Sequence, residues 1–114
     1  MTDPHARAAH KLVLQRYLQR GRESLLSKLE GVSEYDTRRP LVPTGTNLLG
    51  IVKHVASVES GYLGEVFGRP SAEAFPWFED DAEANADMWA TADEPREQIV
   101  ALYRRVWAHS DATI

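Results

Sequence analysis

The chain has 114 residues, the size of one domain, with an ordinary hydrophobic fraction of 43%, a formal net charge of −4 and no cysteine. The net charge offers no basic footprint for nucleic acid, and the missing cysteines exclude disulfides, thiolate nucleophiles and cysteine-based zinc sites. Without a signal-peptide pattern or an apolar run near the roughly 20 residues of a membrane span, the sequence predicts a cytoplasmic protein with neither a nucleic-acid nor a membrane partner.

The first predicted element is a helix from about Pro4 to Glu30. Pro4 suits a first helical turn, and Gly31 is a typical C-terminal stop. Gly21 interrupts the pattern at a cost of roughly 1 kcal/mol relative to alanine, which favours close packing or a slight bend there. The apolar residues that recur at helical spacing are Leu14, Tyr17, Leu18, Leu25, Leu26 and Leu29.

A connector follows, from Gly31 to Thr44. Its segment 33–36 can form one short helical turn. Pro40 and Pro43 then favour extended backbone, because proline lacks the N–H that a helix needs and restricts the residue before it.

The second long helix is predicted to begin at Thr46 or Asn47 and to end at Gly68 and Pro70. Three internal glycines together cost roughly 2–3 kcal/mol in helix propensity, so a neighbouring helix or a ligand should approach the backbone closely. These glycines are Gly50, Gly61 and Gly64. The apolar stripe comprises Leu48, Ile51, Val52, Val55, Val58, Tyr62, Leu63 and Val66.

The last third of the chain is predicted to be a long acidic and aromatic connector, with a short turn around Ala82–Asp87, and then a third helix. The segment 91–94 resembles a capping box, and Pro95 fits a first turn. The helix pattern runs to Ile114 without a stop signal, which predicts that the chain continues in nature. Its predicted inner face comprises Ile99, Leu102, Tyr103, Val106 and Ser110. Since no strand alternation occurs, the fold class is all-α.

His54 is the candidate metal ligand. It lies at the margin of the apolar stripe of the second helix, inward enough to reach a bundle interior. A metal site needs about three protein ligands, and no other histidine pair has suitable spacing. Two interpretations therefore remain: a partly buried structural histidine, or one ligand of a site that could also include His109 and a glutamate.

Three further residues are pocket candidates. Glu59 falls near the apolar stripe, so it should pair with an arginine or face the same cavity as His54. Tyr62 and Trp77 could line a pocket beside His54, and a small-ligand binding bundle without metal is therefore a third interpretation of the chain.

Two segments of the sequence carry a family resemblance. They are residues 46–62, Thr-Asn-Leu-Leu-Gly-Ile-Val-Lys-His-Val-Ala-Ser-Val-Glu-Ser-Gly-Tyr, and residues 87–94, Asp-Met-Trp-Ala-Thr-Ala-Asp-Glu. Both resemble the DinB-like superfamily, and its mini-circle-protein branch in particular. The resemblance spans nearly the whole chain. It implies an up-down-down-up four-helix bundle with a three-histidine site for zinc or nickel, in which His54 matches the first histidine. The other two belong to an H-x-x-x-H in a fourth helix, and this sequence has neither. We therefore expect a single DinB-like domain, spanning residues 1–114, that lacks its closing helix.

The resemblance also implies a function. Relatives include mycothiol-dependent maleylpyruvate isomerases and bacillithiol S-transferases, so it implies a metal-dependent, thiol-dependent transferase or isomerase acting on an electrophile. The absence of cysteine agrees with a borrowed thiol such as mycothiol. The alternative is a non-catalytic helical interaction module: three helices would leave an apolar groove, which a homodimer could cover.

Overall fold

The computed structural model describes residues 4–42, 45–73, 75–78, 82–83, 86–91 and 93–114. These residues form three long helices, one short helix and three single 3₁₀ turns, with no strand among them. The predicted all-α class is confirmed. The helices are α1 (Pro4–Ser27), α2 (Glu34–Arg38), α3 (Leu48–Leu63) and α4 (Arg96–Thr113), and the 3₁₀ turns are Glu65–Phe67, Pro76–Phe78 and Ala86–Met88.

The start of α3 follows the predicted cap, whereas its end comes earlier than predicted. The side chain of Asn47 accepts a hydrogen bond of 2.7 Å from the backbone N–H of Gly50, as an N-cap should. The helix ends at Leu63 because Gly64 leaves the helical conformation, with φ −128° and ψ −78°. The chain continues as a 3₁₀ turn to Gly68, whose φ of 70° is left-handed. The predicted stop therefore ends this extra turn and not the helix.

The predicted capping box closes a different turn from the one expected. Helix α4 begins at Arg96, and the residue at its N-cap, Pro95, makes no side-chain cap bond. Glu94 instead accepts a hydrogen bond of 3.0 Å from the backbone N–H of Thr91, within the turn that precedes the helix. The predicted helix start is therefore about one turn too early, because the local motif does not show whether it caps the helix or closes a turn before it.

The connector before α4 contains short turns at two places. The predicted turn around Ala82–Asp87 corresponds to Ala86–Met88, although part of the predicted range lies outside the described residues. A second turn at Pro76–Phe78 was not predicted. Both turns carry side chains that pack on α3, as described below.

The core lies between α3, α4 and the C-terminal part of α1. All five residues of the predicted inner face of α4 are buried, which confirms that prediction. In α1 only the C-terminal part of the predicted apolar face is buried, while Leu14 and Tyr17 are 64% and 68% exposed. The buried cluster comprises Leu26, Leu29, Leu49, Val52, Ala56, Ala90, Ile99 and Tyr103.

The buried face of α3 differs from the predicted apolar stripe. Three stripe residues, Val58, Tyr62 and Val66, are 41%, 68% and 71% exposed. Polar and small residues take their place in the interior because they have partners on distant segments, which a periodicity of apolar residues cannot show. The buried residues of α3 are Leu49, Gly50, Val52, Lys53, Ala56, Ser57, Glu59 and Ser60.

The displaced stripe lines an apolar groove between α1 and α3. The groove has a volume of about 460 Å³. Tyr17 on one side and Val58 and Tyr62 on the other expose much of their side chains along it. Its lining residues are Tyr17, Leu18, Gly21, Arg22, Leu25, Val55, Val58, Glu59, Tyr62, Leu63 and Tyr103.

A buried ion-pair cluster at the base of this groove joins the three long helices. Arg22 of α1, with a side chain only 1% exposed, donates two hydrogen bonds of 3.0 and 2.9 Å to the carboxylate of Glu59 in α3. It donates a third, of 2.9 Å, to Asp111 in α4. Burial alone would lower the pKa of the Arg22 guanidinium, but its hydrogen bonds to Glu59 and Asp111 outweigh burial and raise it. Burial also raises the pKa of Tyr103 beside the cluster, and the charge of Glu59 adds to this shift.

Candidate functional site

His54 of α3 faces a carboxylate. Its ring Nδ1 lies 2.6 Å from Oδ2 of Asp87, a residue of the 3₁₀ turn Ala86–Met88. The side chain of His54 is 41% exposed and that of Asp87 is 17% exposed. An ionised carboxylate can only accept hydrogen bonds, so the Nδ1–H donates to Asp87. The second ring nitrogen, Nε2, is then left with a free lone pair for a proton or a metal.

Asn47, the N-cap of α3, is one residue that fixes the turn Ala86–Met88 against this helix. The backbone N–H of Asn47 donates to the carbonyl of Met88 at 3.2 Å. The Asn47 side chain accepts from the N–H of Ala90 and donates to the carbonyl of Ala90, both at 3.0 Å. One residue thus caps α3 and pairs with the chain directly after Asp87, because its amide has both a donor and an acceptor.

Gly50 allows the same segment to lie directly against the backbone of α3. A β-carbon at this position would overlap the carbonyl group of Met88 and the Cα of Trp89. The predicted close approach to the backbone of this helix therefore occurs at Gly50. The segment that approaches is the connector before α4. At Gly61 no atom of the described residues, apart from the backbone of the helix itself, lies within 4 Å of such a β-carbon. At Gly64 the nearest atom belongs to the carbonyl of Ser60, inside the same helix end.

Lys53 is the third residue that holds the connector segment 86–90 against α3. Its side chain is 1% exposed, and its ammonium group donates to the carbonyls of Ala86 and Trp89 at 2.8 and 2.9 Å. It also forms an ion pair of 2.7 Å with Glu94. The rings of Trp77 and Trp89 lie 4.6 and 5.8 Å from the ammonium nitrogen, within cation–π range. With three acceptors, the lysine has no donor left for a substrate, so it holds the connector in place.

Sequence reasoning found His54 but missed the residues that support it. Asp87 and Lys53 were assigned no role, and Asn47 was predicted only as a cap. A usable signal did exist for Lys53, since a lysine within the apolar half of a helix must find partners if it is buried. No comparable signal identified Asp87, which is separated from His54 by 33 positions.

The three pocket candidates separate into two places. Glu59 and Tyr62 line the groove between α1 and α3, where Glu59 makes the predicted pair with an arginine. Trp77 lies on another face of α3: its Nε1 donates to Ser57 at 2.8 Å, and it lines a separate cavity of about 310 Å³. Since Ser57 and Tyr62 occupy different faces of the helix, the structure does not bring Tyr62 and Trp77 into one pocket.

A grouping of His54 with His109 and a glutamate is not present in the described part of the chain. His109 of α4 contacts the backbone carbonyl of Arg69 through Nε2. No group of three histidine, cysteine, aspartate or glutamate residues within the described ranges could hold a metal ion. His54, with a carboxylate behind Nδ1, fits one ligand position, and the described residues do not supply the other two.

The family model for mycothiol S-transferases matches residues 13–114. The chain belongs to the mycothiol S-transferase family. This is a DinB-like family, so the resemblance seen in the sequence is confirmed. Comparisons with curated proteins and with solved structures found no match. Among the described helices of this family member, none is long and apolar enough to cross a membrane.

Proposed function

We propose that this chain is part of a metal-dependent enzyme that uses a low-molecular-weight thiol, mycothiol being the family's named thiol. The thiol is either the substrate transferred to an electrophile, in a transferase, or a cofactor that is regenerated, in an isomerase. The single observation that carries the proposal is the family match over residues 13–114. The pairing of His54 with Asp87 supports a role of His54 as one ligand of a zinc or nickel ion. The cytoplasmic location expected from the sequence stays a prediction.

The role proposed for His54 follows from the state of its ring. A neutral imidazole binds a divalent metal through a nitrogen with a free lone pair, and Nε2 is that nitrogen here. A metal held there would lower the pKa of a thiol bound to it, and the resulting thiolate would be the better nucleophile near neutral pH. The further ligands would have to come from outside the described residues or from a second copy of the chain.

The apolar groove is the proposed place for the apolar part of the electrophile. Val58 lines the groove and lies one helical turn after His54 on α3, so the two side chains are neighbours along the helix. The groove walls are largely apolar, apart from the paired Arg22 and Glu59. Such a surface favours an apolar group over a sugar-bearing thiol.

The test is a thiol-transfer assay with mycothiol and a chlorinated aromatic electrophile, with Zn²⁺ or Ni²⁺ present or removed by a chelator. We expect transfer to depend on the metal, and His54→Ala to lower it by at least about 100-fold, since even the loss of a residue that supports a ligand costs about 10- to 100-fold. His109→Ala is the matched control and should retain activity. Equal rates with and without metal, or an unaffected His54→Ala variant, would contradict the proposal.

A second candidate function is association through the groove without catalysis. The exposure of Tyr17, Val58 and Tyr62 on its two sides favours it, because contiguous exposed apolar surface is usually covered by a partner. A homodimer that covers the groove on both copies is the expected form. Sedimentation of the chain over a range of concentrations checks this, and a monomer at the highest concentration would count against it.

A further inference from the structure

We infer that the groove between α1 and α3 binds a small apolar molecule that carries a neutral hydrogen-bond acceptor, and that the hydroxyl of Tyr103 recognises this acceptor. An aromatic ketone is a simple compound of this class. The inference deepens the proposed function, because it names the chemistry of the electrophile that the groove takes, and only that meaning rests on the proposed function. The binding itself involves neither thiol nor metal, and the residues of the groove carry the argument for it.

The first argument is the burial of Tyr103 in α4. Three tyrosines line the groove: Tyr103 is 2% exposed, whereas Tyr17 and Tyr62 are both 68% exposed. The ring of Tyr103 packs edge-on against that of Trp107, with the ring centroids 5.2 Å apart and the planes at 75°. Water can solvate the hydroxyls of the two exposed tyrosines, but a buried hydroxyl needs a partner inside the protein or on a ligand.

The second argument is that the Tyr103 hydroxyl has no acceptor for its proton within the described ranges. Both oxygens of the nearby Glu59 carboxylate already accept from Arg22. The neighbouring indole N–H of Trp107, itself without a partner among the described residues, is a donor only and cannot accept this proton. Burial, followed by the charge of Glu59, raises the pKa of Tyr103, so the phenol keeps its proton at neutral pH and stays a donor.

The third argument concerns the charge of the acceptor. The ion-pair cluster beside Tyr103 contains one positive charge, on Arg22, and two negative charges, on Glu59 and Asp111, which leaves a net charge of −1. A carboxylate on the ligand would be repelled by this charge, and the repulsion is strong in a poorly solvated place. A neutral carbonyl or ether oxygen avoids the repulsion and still accepts the phenol's proton.

The size and lining of the groove fit such a ligand. Its volume of about 460 Å³ lies within the range of roughly 300–1,000 Å³ that is typical of small-molecule sites. Aliphatic side chains such as Leu25, Val55 and Val58 line it and favour an apolar body. Small-molecule sites commonly combine apolar walls with a few polar groups that orient the ligand, and Tyr103 is the uncharged buried donor among the lining residues.

The experiment compares two probes of nearly the same shape, 2-acetylnaphthalene and 2-ethylnaphthalene, of which only the first carries an acceptor. NMR titration of the ¹⁵N-labelled chain gives both dissociation constants, and the amide signals of Gly21 and Val58 show whether each probe binds in the groove. In Tyr103→Phe we expect the ratio of the two dissociation constants to shift against the ketone by about 5- to 10-fold, the effect of one neutral hydrogen bond. The ratio cancels the difference in hydrophobicity between the probes.

Tyr35→Phe is the matched control, because it removes the same hydroxyl from a tyrosine of α2 that is 76% exposed and lies outside the groove. If Tyr103→Phe does not fold, nuclear Overhauser contacts between the acetyl group and the Tyr103 ring in the wild type decide alone. Absence of these contacts, an unshifted ratio in a folded Tyr103→Phe, or a groove closed to both probes by a second copy of the chain would overturn the inference. Positive probe results beside a failed thiol-transfer assay would contradict the proposed function alone.

Discussion

Replacing Glu59 by alanine is expected to lower the free energy of unfolding by about 3–5 kcal/mol, the usual cost of removing one partner of a buried ion pair. The reason is the position of Arg22, whose side chain is 1% exposed and donates two of its hydrogen bonds to this carboxylate. Without Glu59 the buried guanidinium keeps hydrogen bonds to Gln19 and to the half-exposed Asp111, and its contact with the ring of Trp107. Chemical denaturation of the variant and the wild type measures the difference.

The matched control for this prediction removes both charges. Arg22→Met combined with Glu59→Leu replaces the pair by apolar side chains beside an already apolar groove, and such replacements are often neutral or stabilising. We therefore expect the double variant to be clearly more stable than Glu59→Ala. A loss below about 1 kcal/mol in the single variant would be typical of an exposed pair, and it would contradict the burial of this cluster.

The sequence predicted those parts of the fold that depend on neighbouring residues. The cap at Asn47 and the inner face of α4 are local patterns, and both are found as predicted. The prediction of the buried face of α3 was wrong because the polar residues of that face depend on distant partners. Glu59 pairs with Arg22, 37 positions earlier, and Lys53 donates to Ala86, 33 positions later. Those partners stabilise polar groups in the interior, so Lys53 and Glu59 are buried while Val58 and Tyr62 of the predicted apolar stripe are exposed.

The dependence on distant partners also explains why the sequence predicted only part of the site. His54 could be proposed from its place on an amphipathic helix, a local property of the sequence. The role of Asp87 depends on how a connector of about 20 residues returns to α3, and a spacing of 33 positions carries no periodic signal. The glycine pattern came closest to indicating this return, since it predicted a close approach to the backbone of α3. It could not distinguish Gly50, where the approach occurs, from Gly61, where it does not.

Replacing Gly50 by alanine is expected to destabilise the protein by about 3 kcal/mol, the upper end of the usual cost of overpacking. The added β-carbon would overlap the backbone of Met88 and Trp89, and a backbone cannot move aside as the end of a flexible side chain can. The connector would have to leave α3, which would also separate Asp87 from His54. This loss should outweigh the gain in helix propensity of roughly 1 kcal/mol that alanine brings.

Gly61→Ala provides the control for this prediction within the same helix. In the described part of the chain, no atom outside the helix backbone lies within 4 Å of the added β-carbon, so only the propensity gain remains. We expect a stabilisation of roughly 0.5–1 kcal/mol. The same chemical change thus has opposite signs at two positions of α3. Urea denaturation of both variants measures the contrast. If Gly50→Ala were as stable as Gly61→Ala, the connector would not lie against the helix, and the geometry that brings Asp87 to His54 would fail with it.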